Sequence, residues 1–551
     1  MDVLSKLLDK AASVRSIGYH PRCQNLGLTH LMFADDLMMV TDGKVRSMEG
    51  IVEVFEKFAK ISGLRISMDK STMYMGGVPT DIRLEIESRF QFRTDQLPVR
   101  YLGLPLTTKS MSSSDYQPLL ETIRNRISSW KNRFLSYAGR RELLGSVLWS
   151  ISSFWLSAFR LPKACIREID KICSAFLWSG SDLNPRKAKV AWEEVCRPKD
   201  EGGLGLRSLT DMNNVTLLKL LWRLVTNKSS LWVRWIHTTV LKNESIWSAK
   251  DSDKKGSCMW RNFLKIRGLA RQFCKVDVHN GKSTSFWYDQ WSPMGCLTDI
   301  FGPRGQIDTG IGQHDTVYTA RTKRRRRNHR SEGLINVEHH LISLPSSDAE
   351  DIVLWRGKQN IYKSQFITRD TWNLIRPVRE KVAWHKGLWF SQATPKFRFC
   401  SWLGLHNRLT TGDRMISWNL GIDGVCVLCQ HHLETRDHLF FRCTYSSSLW
   451  SKLMRELMGN HYTDEWSSII FFMSQSQLSR TRTFLARYVF QTTLYMLWRE
   501  RNSRKHGEKP RSPETLFRVI DRQVKNRTTS IRTLDKRLGM AFQDWIVAVG
   551  T

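Results

Sequence analysis

Acidic residues are scarce in this chain: 52 Asp and Glu stand against 85 Lys and Arg, leaving a formal charge of +33. That deficit excludes an acidic solvating chain. It favours a polyanionic partner, RNA or DNA, because each phosphate neutralised by a cation releases condensed counterions. Cysteine is sparse too, eleven in 551 residues, an odd number spread too thinly for a disulfide framework. Long apolar runs are missing. Leu143 to Phe159 carries no charge over 17 residues, but it includes five Ser and is bracketed by Arg140, Arg141, Glu142 and Arg160. It reads as a buried helix, since a membrane span needs about 20 predominantly apolar residues. The Met1–Lys6 start is too charged for a signal peptide. The expected setting is the nucleus or cytoplasm, with no secretion and no membrane partner. No Gly-Lys-Ser/Thr follows Gly202-Gly203-Leu204-Gly205, which argues against a phosphate-binding loop.

What is present suits globular domains. Apolar residues make up 41% of the chain, and the length allows about three or four domains. The 22 Trp fit large cores or base-stacking surfaces. Residues 1–16 carry Val3, Leu4, Leu7, Leu8 and Ala11 at helical spacing, and Ser47–Ile61 repeats the pattern through Ile51, Phe55 and Phe58, with Gly63 as its stop. Between them lies Thr29-His30-Leu31-Met32-Phe33-Ala34-Asp35-Asp36-Leu37-Met38-Met39-Val40. Two short apolar runs around adjacent acids predict a β-hairpin with carboxylates at its turn. The apolar flanks place Asp35 and Asp36 at a core edge. Neighbouring carboxylates repel, and a divalent cation such as Mg²⁺ relieves that cost; a solvated turn is the plainer alternative.

Towards the other end, Cys426-Val427-Leu428-Cys429, His438 and Cys443 are spaced C-x2-C-x8-H-x4-C. The first pair places two thiolates on one side of a metal, and a His and Cys about a helical turn apart close the other. Such a Cys3His set is a closed tetrahedral site for structural zinc. It leaves no open position for hydrolysis. His431 and His432 are rival ligands but sit too near Cys429 to complete the tetrahedron easily. Lys323-Arg324-Arg325-Arg326-Arg327 lies in a Gly-, Asp-, Ser- and Pro-rich stretch from about 302 to 349, which reads as a flexible linker carrying an import signal or a nucleic-acid patch.

Phe33-Ala34-Asp35-Asp36 between apolar strands resembles the catalytic box of reverse transcriptases, in the form found in plant non-LTR (LINE-type) retrotransposons. The resemblance continues through Ser62–Ser71, where Ser67 stands in place of the family's usual Asn, and through Tyr101-Leu102-Gly103-Leu104-Pro105-Leu106. It extends to Pro395–Phe399, Trp402–Arg414 and Trp498-Arg499-Glu500-Arg501-Asn502. It implies a polymerase palm with Asp35 and Asp36 at a Mg²⁺ site. Lys70 would neutralise the triphosphate or protonate the leaving pyrophosphate. Tyr101 and Gly103 would belong to a hairpin gripping the primer terminus. Arg124, Lys131, Arg140 and Arg141 would lie on thumb helices that track phosphates, although a solvated basic face explains them equally well. Lys396, Arg398 and Arg408 fall in the zinc-binding module that follows the polymerase in this family.

The implied fold is α+β and multidomain. A partial palm (1–106, a β-hairpin plus helices) precedes a helical thumb-like region (107–180), a connector (181–300) and the basic linker (301–350). A Cys3His zinc-binding domain (351–470) and a basic helical C-terminal region (471–551) complete it. A two-metal polymerase holds its ions about 4 Å apart between carboxylates of separate strands. The family places the other carboxylate, with the fingers, upstream of the helix that residues 1–16 resemble. The expectation is therefore an RNA-directed DNA polymerase homologue, inactive alone, unless an unknown partner supplies the front in trans. The alternative is a non-catalytic, zinc-dependent nucleic-acid-binding remnant.

Overall fold

The computed structural model describes every residue except 108, 131–134, 243, 250–255, 323–328, 330, 346, 419–420, 422, 476–477 and 551. Lys131 and the run Lys323–Arg327 thus lie outside the described residues. The chain divides into two compact units that are discontinuous in sequence. One comprises residues 1–116, 155–162 and 211–376, and the other 117–154, 163–210 and 377–551.

The first unit begins with helix α1 (Asp2–Ser13), hairpin strands β1 (His30–Phe33) and β2 (Asp36–Met39), and helix α2 (Val45–Ser62). Leu4, Leu8 and Ala11 of α1 meet Ile51, Val54 and Phe58 of α2 in one core, with Leu37 and Met39 packed against it. Gly63 ends α2 in the left-handed region (φ 72°), its N–H bonded to the Ala59 carbonyl, as the stop signal predicts. Further on, Val99–Tyr101 and Leu104–Leu106 pair as an antiparallel hairpin. Leu102 (φ 50°) and Gly103 (φ 80°) form its turn; both are left-handed, as a type I′ turn requires.

Two readings are corrected in this unit. From the sequence alone, Asn280-Gly281-Lys282 running to Phe286-Trp287-Tyr288-Asp289-Gln290-Trp291 predicts strand, turn, strand, but the strand lies earlier, at Cys274–Asp277, and pairs with Ile352–Arg356. Asp351 takes the following loop: its carboxylate accepts the His279 and Gly281 N–H groups at 2.8 Å and the Thr284 hydroxyl at 2.7 Å. With those donors satisfied by a side chain, a second ladder is unnecessary. The expected linker also contains regular structure, the helices Leu297–Thr309, Val317–Thr322 and Glu332–Ser343. Val317, Ala320, Val337 and Leu341 are buried with Phe286, Trp287 and Trp291. Their few apolar positions recur at helical spacing, which the polar composition conceals.

The second unit is built around the helix Arg480–Lys505, whose Phe484, Leu485, Tyr488, Val489, Phe490, Leu494 and Leu497 are buried. Around it pack Pro395–Leu405, Thr444–Met458 and Pro513–Ile531. Buried polar groups on a helix covered on most sides are mostly paired, although Gln491 Oε1 and Thr493 Oγ1 here find no hydrogen-bond partner among the described residues. Gln491 donates to the Leu388 carbonyl at 2.9 Å, and Arg501 is held by Glu434. Leu143–Ala158 is helical, with a wider turn at Leu144–Leu148. No helix among the described residues is long and apolar enough to cross a membrane. All eleven Cys are free.

Candidate metal centre and the acidic hairpin

The metal centre is assembled from two short backbone devices. In the first, the Cys426 N–H bonds to the His432 carbonyl at 2.8 Å and the Gln430 N–H returns to the Cys426 carbonyl at 2.7 Å. Gln430 adopts φ 61° to close this knuckle. The N–H groups of Leu428 and Cys429 then donate to Cys426 Sγ. In the second, His438–Arg442 forms a single π turn, and the Cys443 N–H reaches the His438 carbonyl at 2.8 Å. The sequence suggests an ordinary helical turn between these ligands; the wider π turn brings both side chains to the same side, a frequent use of π geometry at sites. Cys443 is also the N-cap of the helix Thr444–Met458. The Tyr445 and Ser446 N–H groups at the start of that helix favour the Cys443 thiolate.

Cys426 Sγ lies 4.0 Å from Cys443 Sγ, and Cys429 Sγ lies 3.3 Å from His438 Nε2. All four ligand atoms fall within 4.8 Å of one another. A tetrahedral zinc with its usual bond lengths needs ligand–ligand edges of roughly 3.6–3.8 Å. The donors therefore fit structural zinc with small adjustments. Cys426 and Cys443 are fully buried, whereas Cys429 and His438 are half-buried. The Cys426 thiol donates to Cys443, which holds Cys443 below the ordinary thiol value and Cys426 above it. Burial pushes the His438 pKa down, towards the neutral imidazole a metal needs. His432 stacks 5.2 Å from the His438 ring and contributes no ligand atom to the cluster.

Supporting groups missed by the sequence reading surround this centre. Glu434 is fully buried and receives Arg501 Nε at 3.0 and 3.2 Å and the Gly412 N–H at 2.9 Å. Arg501 also donates to the Thr410 carbonyl at 2.9 Å. Glu500 bonds Arg504 at 2.9 Å. Only the i, i+4 spacing of Glu500 and Arg504 could have signalled any of this.

The acidic hairpin forms as predicted, in the register His30↔Met39 to Phe33↔Asp36. Ala34 and Asp35 occupy its two-residue turn, Ala34 at φ 54°. The expected core-edge position of the acids is corrected, because Asp35 and Asp36 are both exposed. Strand alternation turns Leu31 (38% exposed) and Phe33 (60% exposed) outward, leaving His30 and Met32 half-buried. Among the described residues no third Asp, Glu, His or Cys joins the pair. The two carboxylates therefore do not make up the set that a two-metal centre requires.

The remaining candidates are scattered. Lys70 and Arg408 are exposed, as is Arg124 on the helix Ser113–Ser129. Tyr101 and Gly103 lie at the hairpin turn described above. Arg140 and Arg141 brace the fold: Arg140 donates to the Leu177 carbonyl at 3.3 Å, and Arg141 to the Leu204 carbonyl at 3.1 Å. Lys396 sits over the Phe397 and Tyr495 rings. Arg398 and Lys199 both lie over the Trp389 ring, at 5.2 and 5.0 Å. Burial, and then repulsion from Arg141, lowers the pKa of each, and Arg398 further repels Lys199. Lys199 was not singled out in the sequence; the three cations meet only in the fold.

Comparison with known proteins agrees with both halves of this picture. Residues 1–106 match the family model for reverse transcriptase (RNA-dependent DNA polymerase). Residues 366–450 match the model for zinc-binding in reverse transcriptase. An Arabidopsis thaliana protein described as a ribonuclease H protein is 25% identical over 379 residues, covering 64% of this chain and 58% of the relative. An uncharacterized mitochondrial protein of Arabidopsis thaliana is 27% identical over 137 residues, 25% of this chain and 88% of the relative. The chain is thus similar to reverse transcriptases over residues 1–106 and to their zinc-binding module over residues 366–450, and it spans 58% of the length of the first of these relatives.

Proposed function

We propose that this chain binds RNA or DNA through phosphate contacts, with zinc held by Cys426, Cys429, His438 and Cys443 as a structural support, and that it does not polymerise alone. The observation carrying the first part is the pair Lys199 and Arg398 over the Trp389 ring, whose pKa values burial lowers first and repulsion from Arg141 lowers further. A phosphate relieves such repulsion, and the charge of +33 supplies long-range attraction. The closed Cys3His donor set suits a folding role for zinc, which leaves no position for substrate. The second part is supported by the isolated Asp35–Asp36 pair, which gathers no further carboxylate among the described residues. Mg²⁺ therefore enters no step of this reading.

Two measurements on the purified chain test it. Labelled single- and double-stranded oligonucleotides should bind with strongly salt-dependent affinity. A primed RNA template with Mg²⁺ and deoxynucleoside triphosphates should give no extension. Primer extension abolished by Asp35→Asn would overturn the claim of inactivity, and salt-independent or absent binding would overturn the nucleic-acid reading.

A further inference from the structure

Arg504 lies on the central helix Arg480–Lys505, beyond the matched zinc-binding residues 366–450. Its side chain is 13% exposed, and every visible contact leads towards the metal centre or fixes the guanidinium there. Nη1 approaches the Val427 and Leu428 carbonyls at 3.5 and 3.3 Å. Those two carbonyls belong to the same peptide units whose N–H ends, on Leu428 and Cys429, donate to Cys426 Sγ. The guanidinium thus sits at the oxygen end, and the sulfur at the hydrogen end, of two aligned peptide dipoles. Its other face covers the ring of Tyr445 at 4.6 Å, two residues after the ligand Cys443 on the helix that Cys443 caps. One side chain therefore touches both backbone devices that carry the ligands.

Arg504 is itself fixed. Glu500 accepts Nε at 2.9 Å and the Arg511 N–H at 2.9 Å, while the Arg511 carbonyl accepts Nη2 at 2.9 Å and the Tyr445 hydroxyl at 3.0 Å. With Glu500 only 2% exposed at its side chain, this charge pair sits in a low-dielectric setting where dipole alignment counts for more than in water.

The geometry points to Arg504 as the positioning residue of the zinc site: it holds and polarises the two peptides that donate to the Cys426 thiolate, and Glu500 orients it. This rests on the zinc reading proposed above. Outer-sphere partners of a metal ligand commonly set affinity by 10–100-fold. Here that partner lies outside the stretch whose sequence identifies the module.

The test uses the full chain loaded with zinc, or with cobalt(II) as a spectroscopic stand-in. Arg504→Gln should weaken zinc binding by about 10-fold or more in a chelator competition. Arg504→Lys, which keeps the charge without the fork, should recover part of that loss. Arg499→Gln, on the exposed side of the same helix, should match the parent chain. In the cobalt form, losing the cation raises the thiolate donor level, so the sulfur-to-cobalt absorption should move to longer wavelength in Arg504→Gln. A purely structural role would not shift that band. If Arg504→Gln fails to fold, Glu500→Gln, which frees the guanidinium but keeps its charge, should show a smaller loss of affinity. Affinity within twofold of the parent in both variants, or an unmoved band in a folded Arg504→Gln, overturns the assignment. Absence of zinc binding by the parent chain would instead refute the zinc reading itself.

Discussion

Asp170, half-buried on the helix Lys163–Ser179, accepts one hydrogen bond from Trp192 Nε1 at 2.9 Å. Burial outweighs that bond and raises its pKa from 3.8 to about 6. A raised carboxyl stabilises the fold fully below its unfolded value and loses that contribution as pH rises through the folded one. Asp170→Asn should therefore gain on the parent by about 2 kcal/mol between pH 4 and pH 7, allowing for partial solvent screening. Urea unfolding at both pH values checks this, and a difference that does not change with pH would count against it. At the metal centre, Cys426→Ser should abolish the binding of one zinc per chain, measured by metal analysis after dialysis; zinc retained at full stoichiometry would reject the ligand assignment. The four ligands were legible because they lie close in sequence with a spacing only a metal explains. Glu434, Arg501 and Arg504 were not. Arg501 meets Glu434 across 67 residues, and Arg504 meets Val427 across 77. No local pattern records such a meeting.

Elements formed by local periodicity were the readable ones. Helices α1 and α2, their Gly63 stop and the β1–β2 hairpin follow from residues within one or two turns of each other. The Asn280–Trp291 stretch was misread because its backbone donors are taken by Asp351, about 70 residues on. The exposure of Asp35 and Asp36 has a similar source: apolar flanks predict a hairpin, but only its partners decide which strand face is covered. Helices α1 and α2 cover the face bearing Leu37 and Met39. The turn itself carries strain at Ala34, whose left-handed φ of 54° suits glycine. Ala34→Gly relieves a cost of about 1–2 kcal/mol and adds back part of it as unfolded-state entropy, for a net stabilisation of about 0.5–1 kcal/mol. Hydrogen exchange at the hairpin amides should slow accordingly. Faster exchange would mean that the Ala34 side chain contributes more than its backbone costs.

For the whole molecule, composition suggests a class of partner but not its place of contact. A surplus of 33 positive charges is compatible with a uniformly solvated basic surface. Two candidate cations, Arg140 and Arg141, donate to backbone carbonyls. Lys199 is different. It reaches solvent although part of its side chain is desolvated, and that desolvation, with repulsion from Arg141 and Arg398, outweighs the attraction of Glu142. A residue in that position gains from a phosphate more than an isolated surface lysine does. Binding should fall linearly in a plot of log affinity against log salt, with a slope of about −0.9 per contacted phosphate for duplex DNA and about −0.7 for a single strand. Lys199→Gln should make that slope shallower by about one contact and weaken binding equally across unrelated sequences. The substitution removes charge without emptying a core, so circular dichroism and zinc content should match the parent. An unchanged slope would place the phosphate contacts on cations other than this cluster. A loss confined to one sequence would mean that Lys199 reads a base rather than the backbone, which its stacking over the indole of Trp389 and the backbone-directed geometry of lysine contacts argue against.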